Sequence, residues 1–417
     1  MPFCQVIVDI NHTDVDHVFT YRVPAGLDVC PGMRVHVPFG PRKLEGVVVE
    51  MAADCDLPPE RVKDICDTLE DYPAVLPPLL ELAKEIQKTS FCTLAVALRL
   101  MFPAQMRGQR IREKQQEVAV LTVAPDVLGQ VIAAQIRAPK RAKVLRALAD
   151  APETELTAAA LREAVGDCRD ALNALCKMGF VKLEKRESLR RPYGAMERLS
   201  EKDPRLTRQQ EDVLAELLPA VERGQGEFLL YGVTGSGKTE VFIRAVRHVA
   251  QMGKTAIVLV PEIALTPQMV SWFRSRFGED AAVLHSRLSP GERYDEWRRI
   301  RRGDVRVVIG ARSAIFAPLE NVGLIIIDEE HEQSYIADNN PHYDARQLAH
   351  ERCAREGATL LLASATPSMR SFAMAGRGDL TLLEMPRRVK NRPMPTVHVV
   401  DMREDLTAGN RSVCSGA

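Results

Sequence analysis

Hydrophobic and polar positions change their rhythm three times along the chain. From Met1 to about Pro103, short apolar stretches alternate with turn residues. The segments "QVIVDI", "HVFTYRVP", "MRVHVPFG" and "LEGVVVEM" predict strands separated by "AGLD" and "CPG". A helical stretch follows, "PPLLELAKEIQKTSFCTLAVALRLMFP", which Pro103 stops. From about Ala104 to Ser200, "KRAKVLRALAD", "ELTAAALREAVG" and "CRDALNALCKMG" carry helical apolar spacing, and "FVKLEKRE" follows as a strand. Three short helices and a β wing outline a winged-helix module. From about Lys202 to Arg387 the pattern becomes near-continuous apolar runs joined by helical stretches. "GEFLLYG", "TAIVLVP", "AAVLHS", "VRVVIGA", "GLIIIDEE" and "ATLLLASAT" predict a parallel sheet covered on both faces. One further strand, "PTVHVVDM", is expected near the end. The expected class is therefore multidomain α/β: a β-rich unit over 1–104, a winged-helix unit over 105–200, a parallel α/β unit over 201–388, and the start of another unit over 389–417.

Two strings inside the third region carry chemistry. Gly232, Val233, Thr234, Gly235, Ser236, Gly237, Lys238 and Thr239 match the phosphate-binding loop G-x-x-x-x-G-K-T, with a strand before and a helix after. The glycines allow successive N–H groups to turn toward a phosphate at the helix N-terminus. Lys238 would bridge the β and γ oxygens, and the Thr239 hydroxyl would ligate Mg²⁺. The second string, "LIIIDEEHE", places Asp328 at the carboxyl end of a buried strand, where ligands bind in such sheets. Asp328 would hold Mg²⁺, and Glu329 is the candidate general base for an attacking water, with His331 beside it.

Composition narrows the picture little. The 417 residues are 46% hydrophobic, and Lys plus Arg balance Asp plus Glu at 56 each, so any nucleic-acid surface must be local. One basic interval stands out: between Asp126 and Asp150 there is no acid, while Arg137, Lys140, Arg141, Lys143 and Arg146 all fall there. The nine cysteines form no Cys-x-x-Cys pair, which argues against a structural zinc site and for reduced thiols in a cytosol. The first residues lack the pattern of a signal peptide, and no run reaches the ~18 apolar residues of a membrane span.

The order of motifs resembles superfamily 2 helicases: Asp328-Glu329-Glu330-His331 fits their second motif, and Ser364, Ala365 and Thr366 fit the third, which couples the nucleotide site to DNA. The strings "GVTGSGKTEVF", "VPEIALTPQ", "LHSRLSPGER", "GARSAIFAPL", "IIIDEEHEQSY" and "SATPS" are similar to the PriA family of bacterial replication-restart helicases, and the resemblance covers nearly the whole chain. It implies an amino-terminal domain that binds the 3′ end of a DNA strand at a fork, with Phe19, Tyr21 and Gly40 in its pocket region. It implies a RecA-like first helicase lobe over 201–388. Gln210 would read adenine, and Glu240 would belong to the ATP site. Glu262, Thr266, His285, Ser286, Arg312 and Ser313 would line the DNA path. Tyr335 and Tyr343 would lie in a loop that senses single-stranded DNA, where one or the other would stack on a base. Forked and single-stranded DNA, primosome proteins and single-stranded-DNA-binding protein are the partners so implied, with a cytoplasmic, nucleoid-associated location.

The family's helicases have a second α/β lobe that supplies an arginine finger and zinc-binding cysteines. "PTVHVVDMREDLTAGN" resembles only its start, so the chain is expected to be an amino-terminal fragment. The function expected is an ATP-dependent 3′–5′ DNA helicase of replication restart. The alternative is a fork-DNA- and ATP-binding fragment with no turnover of its own. A nucleotide kinase is disfavoured by the helicase order of the motifs.

Overall fold

The computed structural model describes residues 2–55, 57–58, 61–109, 115–188, 190, 204–265, 267–389 and 403. The strand expected in "PTVHVVDM" and the proposed start of a further unit lie outside these residues, apart from Val389 and Arg403.

Strands β1 (Phe3–Val8), β2 (Phe19–Arg22), β3 (Arg34–Phe39), β4 (Arg42–Ala52) and β5 (Asp67–Thr68) form an antiparallel sheet in the order β2-β1-β4-β3-β5. Its inner face buries Cys4, Val6, Val8, Tyr21, Val35, Val37 and Val48, the period-2 set that the sequence pattern marks. The expected single helix is two, α1 (Pro77–Ser90) and α2 (Leu94–Leu98). The break is local. Phe91 adopts the left-handed region (φ 51°), and the Thr93 hydroxyl then caps the new helix by accepting the Val96 N–H.

The second region is β6 (Gln115–Leu121), α3 (Pro125–Ala134), α4 (Pro139–Ala149), β7 (Glu155–Thr157), α5 (Ala158–Val165), α6 (Arg169–Lys177) and β8 (Val181–Glu187). The sheet order is β7-β6-β8, and Val144, Leu145, Leu148, Leu161, Leu172 and Leu175 fill a separate core beneath it. This is the winged-helix arrangement, with β6 and α3 added to what the pattern predicts. The wing's basic residues are largely neutralised. Arg186 pairs with Glu155 and Glu184, Lys182 with Glu184, and Arg190 with the buried Asp295.

The third region runs α7 (Arg208–Arg223), β9 (Glu227–Gly232), α8 (Lys238–Gln251), β10 (Thr255–Leu259), α9 (Pro267–Phe277), β11 (Ala281–Leu284), α10 (Pro290–Arg302), β12 (Val307–Gly310), β13 (Val322–Ile327), α11 (Ala345–Glu356), β14 (Thr359–Ser364), α12 (Met369–Arg377) and β15 (Thr381–Met385). Its seven strands are all parallel, in the order β11-β12-β10-β13-β14-β9-β15. Successive residues of β13 face opposite layers. Ile325 and Ile327 join one core, while Leu324 and Ile326 join the other with α7 and α8. Each such side chain contributes about 1.5–3 kcal/mol of burial, which holds β13 in the middle of the sheet.

The first of those cores also takes in α1 and α2. Leu79, Leu82, Ile86, Leu94 and Leu98 belong to the same apolar cluster as Leu348 and Ala349 of α11. Arg301 Nε donates to the Pro73 carbonyl at 2.7 Å, and the Ser90 hydroxyl donates to the His342 carbonyl. At the wing exit, Glu187 pairs with Arg298 at 2.7 Å and Arg302 at 3.0 Å on α10.

Candidate functional site

The parallel sheet aligns three motifs. β9 pairs with β14 and β14 with β13, with Ser364 opposite Tyr231 and Ile327 opposite Leu362. The loop after β9, the acidic run after β13 and Ser364-Ala365-Thr366 therefore emerge side by side at the carboxyl edge.

The loop has the backbone a phosphate cradle requires. Gly235 and Gly237 lie at φ 82° and 86°, and a Cβ on Gly237 would stand 2.5 Å from Gln210 Nε2. Gln210 completes a capping box with Thr207 at the start of α7, and its Nε2 donates to the Gly237 carbonyl at 3.0 Å. The Ser236 hydroxyl is buried with no hydrogen-bond partner, an orphan that a phosphate oxygen would satisfy. Lys238 is buried; its Nζ donates to the Gly232 carbonyl at 2.9 Å and lies 3.7 Å from Glu329 Oε1. Val233 and Thr234 lie in the loop and Thr239 in the first turn of α8; the buried Glu240 follows, and its carboxylate accepts from Arg244 Nε at 2.8 Å one helical turn along α8.

Across the cleft, the Glu329 N–H donates to Asp328 Oδ1 at 3.0 Å. Burial, then the Glu329 charge, raise the Asp328 carboxyl to about 6 against the opposing pull of Lys238. Glu329 itself sits at φ 46°, a left-handed backbone that costs a non-glycine residue about 1–2 kcal/mol. Such strain gathers where geometry serves function. The Ser364 hydroxyl is 2.8 Å from His331 Nδ1 and accepts the Thr366 N–H at 2.9 Å, and His331 Nδ1 is 3.7 Å from Glu329 Oε2. The third motif touches the second twice more, through the Ser364 hydroxyl and the Ala365 N–H, which donate to Glu329 Oε2 at 3.4 and 3.5 Å. Glu330 is fully buried and faces the other way. It accepts from the Ser368 N–H and from the Ser368 and Ser371 hydroxyls, holding the start of α12.

The residues expected along a DNA path fall in one place. Glu262, His285, Ser286, Arg312, Ser313 and Tyr343 line a cleft of about 360 Å³, whose other wall is Arg99–Ala104 of the amino-terminal region. The Ser286 hydroxyl donates to Glu262, and Arg293 donates to the carbonyls of His285 and Ser286. Burial and then the charges of Arg287 and Arg293 push His285 below its usual range. The contribution of Arg99 and Phe102 has no local signal in the sequence, because it arises from the packing of α2 on the lobe. Thr266 lies outside the described residues.

Two tyrosines depart from expectation. Tyr335 is fully buried, and its hydroxyl donates to the Asp328 carbonyl at 2.6 Å, so its ring is not available for stacking on a base. Arg312 Nη1 donates to the Ile336 carbonyl at 2.5 Å and the Ser334 carbonyl at 3.3 Å, joining the cleft to the backbone around Tyr335. Tyr21 is 4% exposed inside the β-sheet core, with its hydroxyl 3.4 Å from the Pro38 carbonyl. Phe19 is half-buried between His17 and Phe39, with ring centroids at 4.3 and 5.2 Å, and Gly40 (φ 57°) makes the open turn beyond Phe39.

Among the described residues no cluster of three or more His, Cys, Asp or Glu side chains suits a metal ion, and the eight described cysteines are free. Among them, too, no helix is long and apolar enough to cross a membrane.

Comparison with known proteins agrees with this layout. Residues 5–103 match the 3′ DNA-binding domain of PriA, and residues 207–375 match the DEAD/DEAH box helicase family. The replication restart protein PriA of Bacillus subtilis is 36% identical over the whole chain, which spans 59% of that protein's length. The Synechocystis PriA is also 36% identical over the whole chain, which spans 58% of it. A solved structure of RecG bound to a three-way DNA junction is 28% identical over 46% of this chain and 24% of that one, with a TM-score of 0.33, a likeness too slight to bear on the fold. With a 3′ DNA-binding domain and a helicase domain in the same order, and similarity running its full length, the chain belongs to the PriA family of replication restart proteins.

Proposed function

We propose that this chain is the nucleotide- and DNA-binding part of an ATP-dependent 3′–5′ helicase that acts at branched forks in replication restart. The β-rich sheet would seat a strand's 3′ end near Phe19 and Gly40. The winged-helix unit would hold duplex, and the cleft beneath Arg312 would carry single strand. Primosome proteins and single-stranded-DNA-binding protein would be its partners in the cell.

The observation that carries the reading is the setting of Glu329, 3.7 Å from Lys238 Nζ and joined through Ser364 and His331 to the third motif. A carboxylate held beside the phosphate-binding lysine is placed to orient and deprotonate a water attacking the γ-phosphate. Lys238 would exchange its bond to the Gly232 carbonyl for phosphate oxygens, and the buried Ser236 hydroxyl would gain its missing partner. Thr239 and Asp328 fit a bound Mg²⁺, which would supply charge neutralisation at the phosphates.

The test is steady-state ATP hydrolysis with and without forked DNA, together with unwinding of duplexes bearing either a 3′ or a 5′ single-stranded arm. Turnover that DNA stimulates, that Lys238→Ala abolishes, and that opens duplexes with 3′–5′ polarity supports the proposal. Tight binding of ATP and forks without turnover would assign hydrolysis to a longer form of the protein. Phosphate transfer that ignores DNA would overturn the reading.

A further inference from the structure

The segment after β15 lies against the phosphate loop. The Val389 N–H donates to the Gly235 carbonyl at 2.9 Å, and Val389 Cγ2 is 3.1 Å from where a Cβ on Gly237 would stand. Arg388 Cγ and Cδ lie 3.9 Å from the corresponding point on Gly235, so its stem crosses the face of the loop. Its Nε is buried with no hydrogen-bond partner. A guanidinium N–H shut away from water requires an acceptor, and one left without it costs stability. The neighbouring residue is pinned in place: Gln209, in the first turn of α7, accepts the Arg387 N–H at 2.9 Å and donates to the Arg387 carbonyl at 3.4 Å. Beside this clamp is a hollow of about 440 Å³ between Thr207–Asp212 and Pro386–Arg388.

From this we infer that Arg388 is a further phosphate-binding residue of the nucleotide site, supplied by the same lobe as the loop, with Gln209 as its positioning residue. The inference rests on the nucleotide site proposed above. The guanidinium is the missing partner of a phosphate oxygen bound over Gly235, and its fork suits an anion better than a lysine's point charge. The adjoining hollow is then the place for the adenosine, next to Gln210. The contact inferred is with a phosphate over Gly235, one that a bound diphosphate already supplies.

Calorimetric titration of the chain with ADP and with AMP tests this. Arg388→Ala should weaken ADP by roughly tenfold, the loss of one charge-assisted contact, and AMP much less, so the preference for ADP over AMP collapses. Arg388→Lys should fall between. Gln209→Ala, which frees the segment without removing the charge, should shift ADP in the same direction. A melting point equal to or above wild type accompanies the expected result, since Arg388→Ala removes a donor that has no partner in the free chain. Equal weakening of ADP and AMP would assign Arg388 to the base and overturn the inference, as would a wild-type preference kept by Arg388→Ala. A wild-type chain that binds neither nucleotide would overturn the site itself, and this inference with it.

Discussion

Tyr335 offers the sharpest test, because a ring that stacks on DNA and a ring that braces the acidic motif respond oppositely to the same substitutions. The side chain is fully buried, its hydroxyl donates to the Asp328 carbonyl at 2.6 Å, and burial holds its ionisation well above the ordinary range. Tyr335→Phe removes one hydrogen bond and leaves that carbonyl short of a partner, a loss of about 1 kcal/mol. Tyr335→Ala removes the whole ring from a closed core, a loss of about 3–5 kcal/mol. Urea unfolding of the two variants should therefore separate them clearly. Fluorescence anisotropy with single-stranded DNA should find Tyr335→Phe at wild-type affinity. The DNA-stimulated part of its ATPase should fall by up to roughly fivefold, the equivalent of ~1 kcal/mol, because the brace lies between Arg312 and Asp328. An alanine variant that melts like wild type yet loses affinity for single strand by the ~1–3 kcal/mol of a base stack would refute the reasoning.

Three further outcomes follow from the geometry. The Asp328 carboxyl is raised to about 6, so it keeps its proton further up the pH scale than a free aspartate; magnesium-dependent ATP binding should weaken about tenfold between pH 7 and pH 5, and Asp328→Asn should flatten that profile. A pH-independent affinity in the unmodified chain would remove the argument. Gly237→Ala places a Cβ 2.5 Å from Gln210 Nε2 at φ 86°, and should cost nucleotide affinity by tenfold or more at a strain of about 1–2 kcal/mol, read by the same titration. Lys140→Glu with Lys143→Glu, on the exposed basic face of α4, should weaken duplex binding and lower its salt dependence by about two charges. Lys182→Glu with Arg186→Glu should do less, because those wing residues already pair with carboxylates; the reverse ranking would count against it.

The chemistry that could be read in the sequence was the chemistry written in contiguous strings. Gly232–Thr239 and Asp328–His331 announce themselves because backbone curvature and a strand end each need specific residues in a row. Strands with both faces buried, such as β13, are equally plain. β15 escaped because it is an edge strand paired only with β9 and mostly exposed, so "TLLEM" carries little pattern. The break at Phe91 was masked by apolar spacing on both sides of it, although Thr93 is a good N-cap. Tyr335 is ambiguous in the sequence for another reason: a tyrosine after an acidic motif has the same letters whether its ring faces solvent or core. Arg99 and Arg388 reach their sites from far away in the chain, and only the packing of α2 and the Gln209 clamp bring them there.

One feature of the packing bears on how this protein can be dissected. Because α1 and α2 fill the hydrophobic layer beneath α11, a cut near residue 104 does not release a self-sufficient parallel α/β unit. It leaves an oily scar where Leu79, Leu82 and Ile86 had been, inviting clumping or collapse. The β-rich unit and the parallel α/β unit are two organs grown on one skeleton, and any attempt to assay them apart would first have to graft a new surface over the wound.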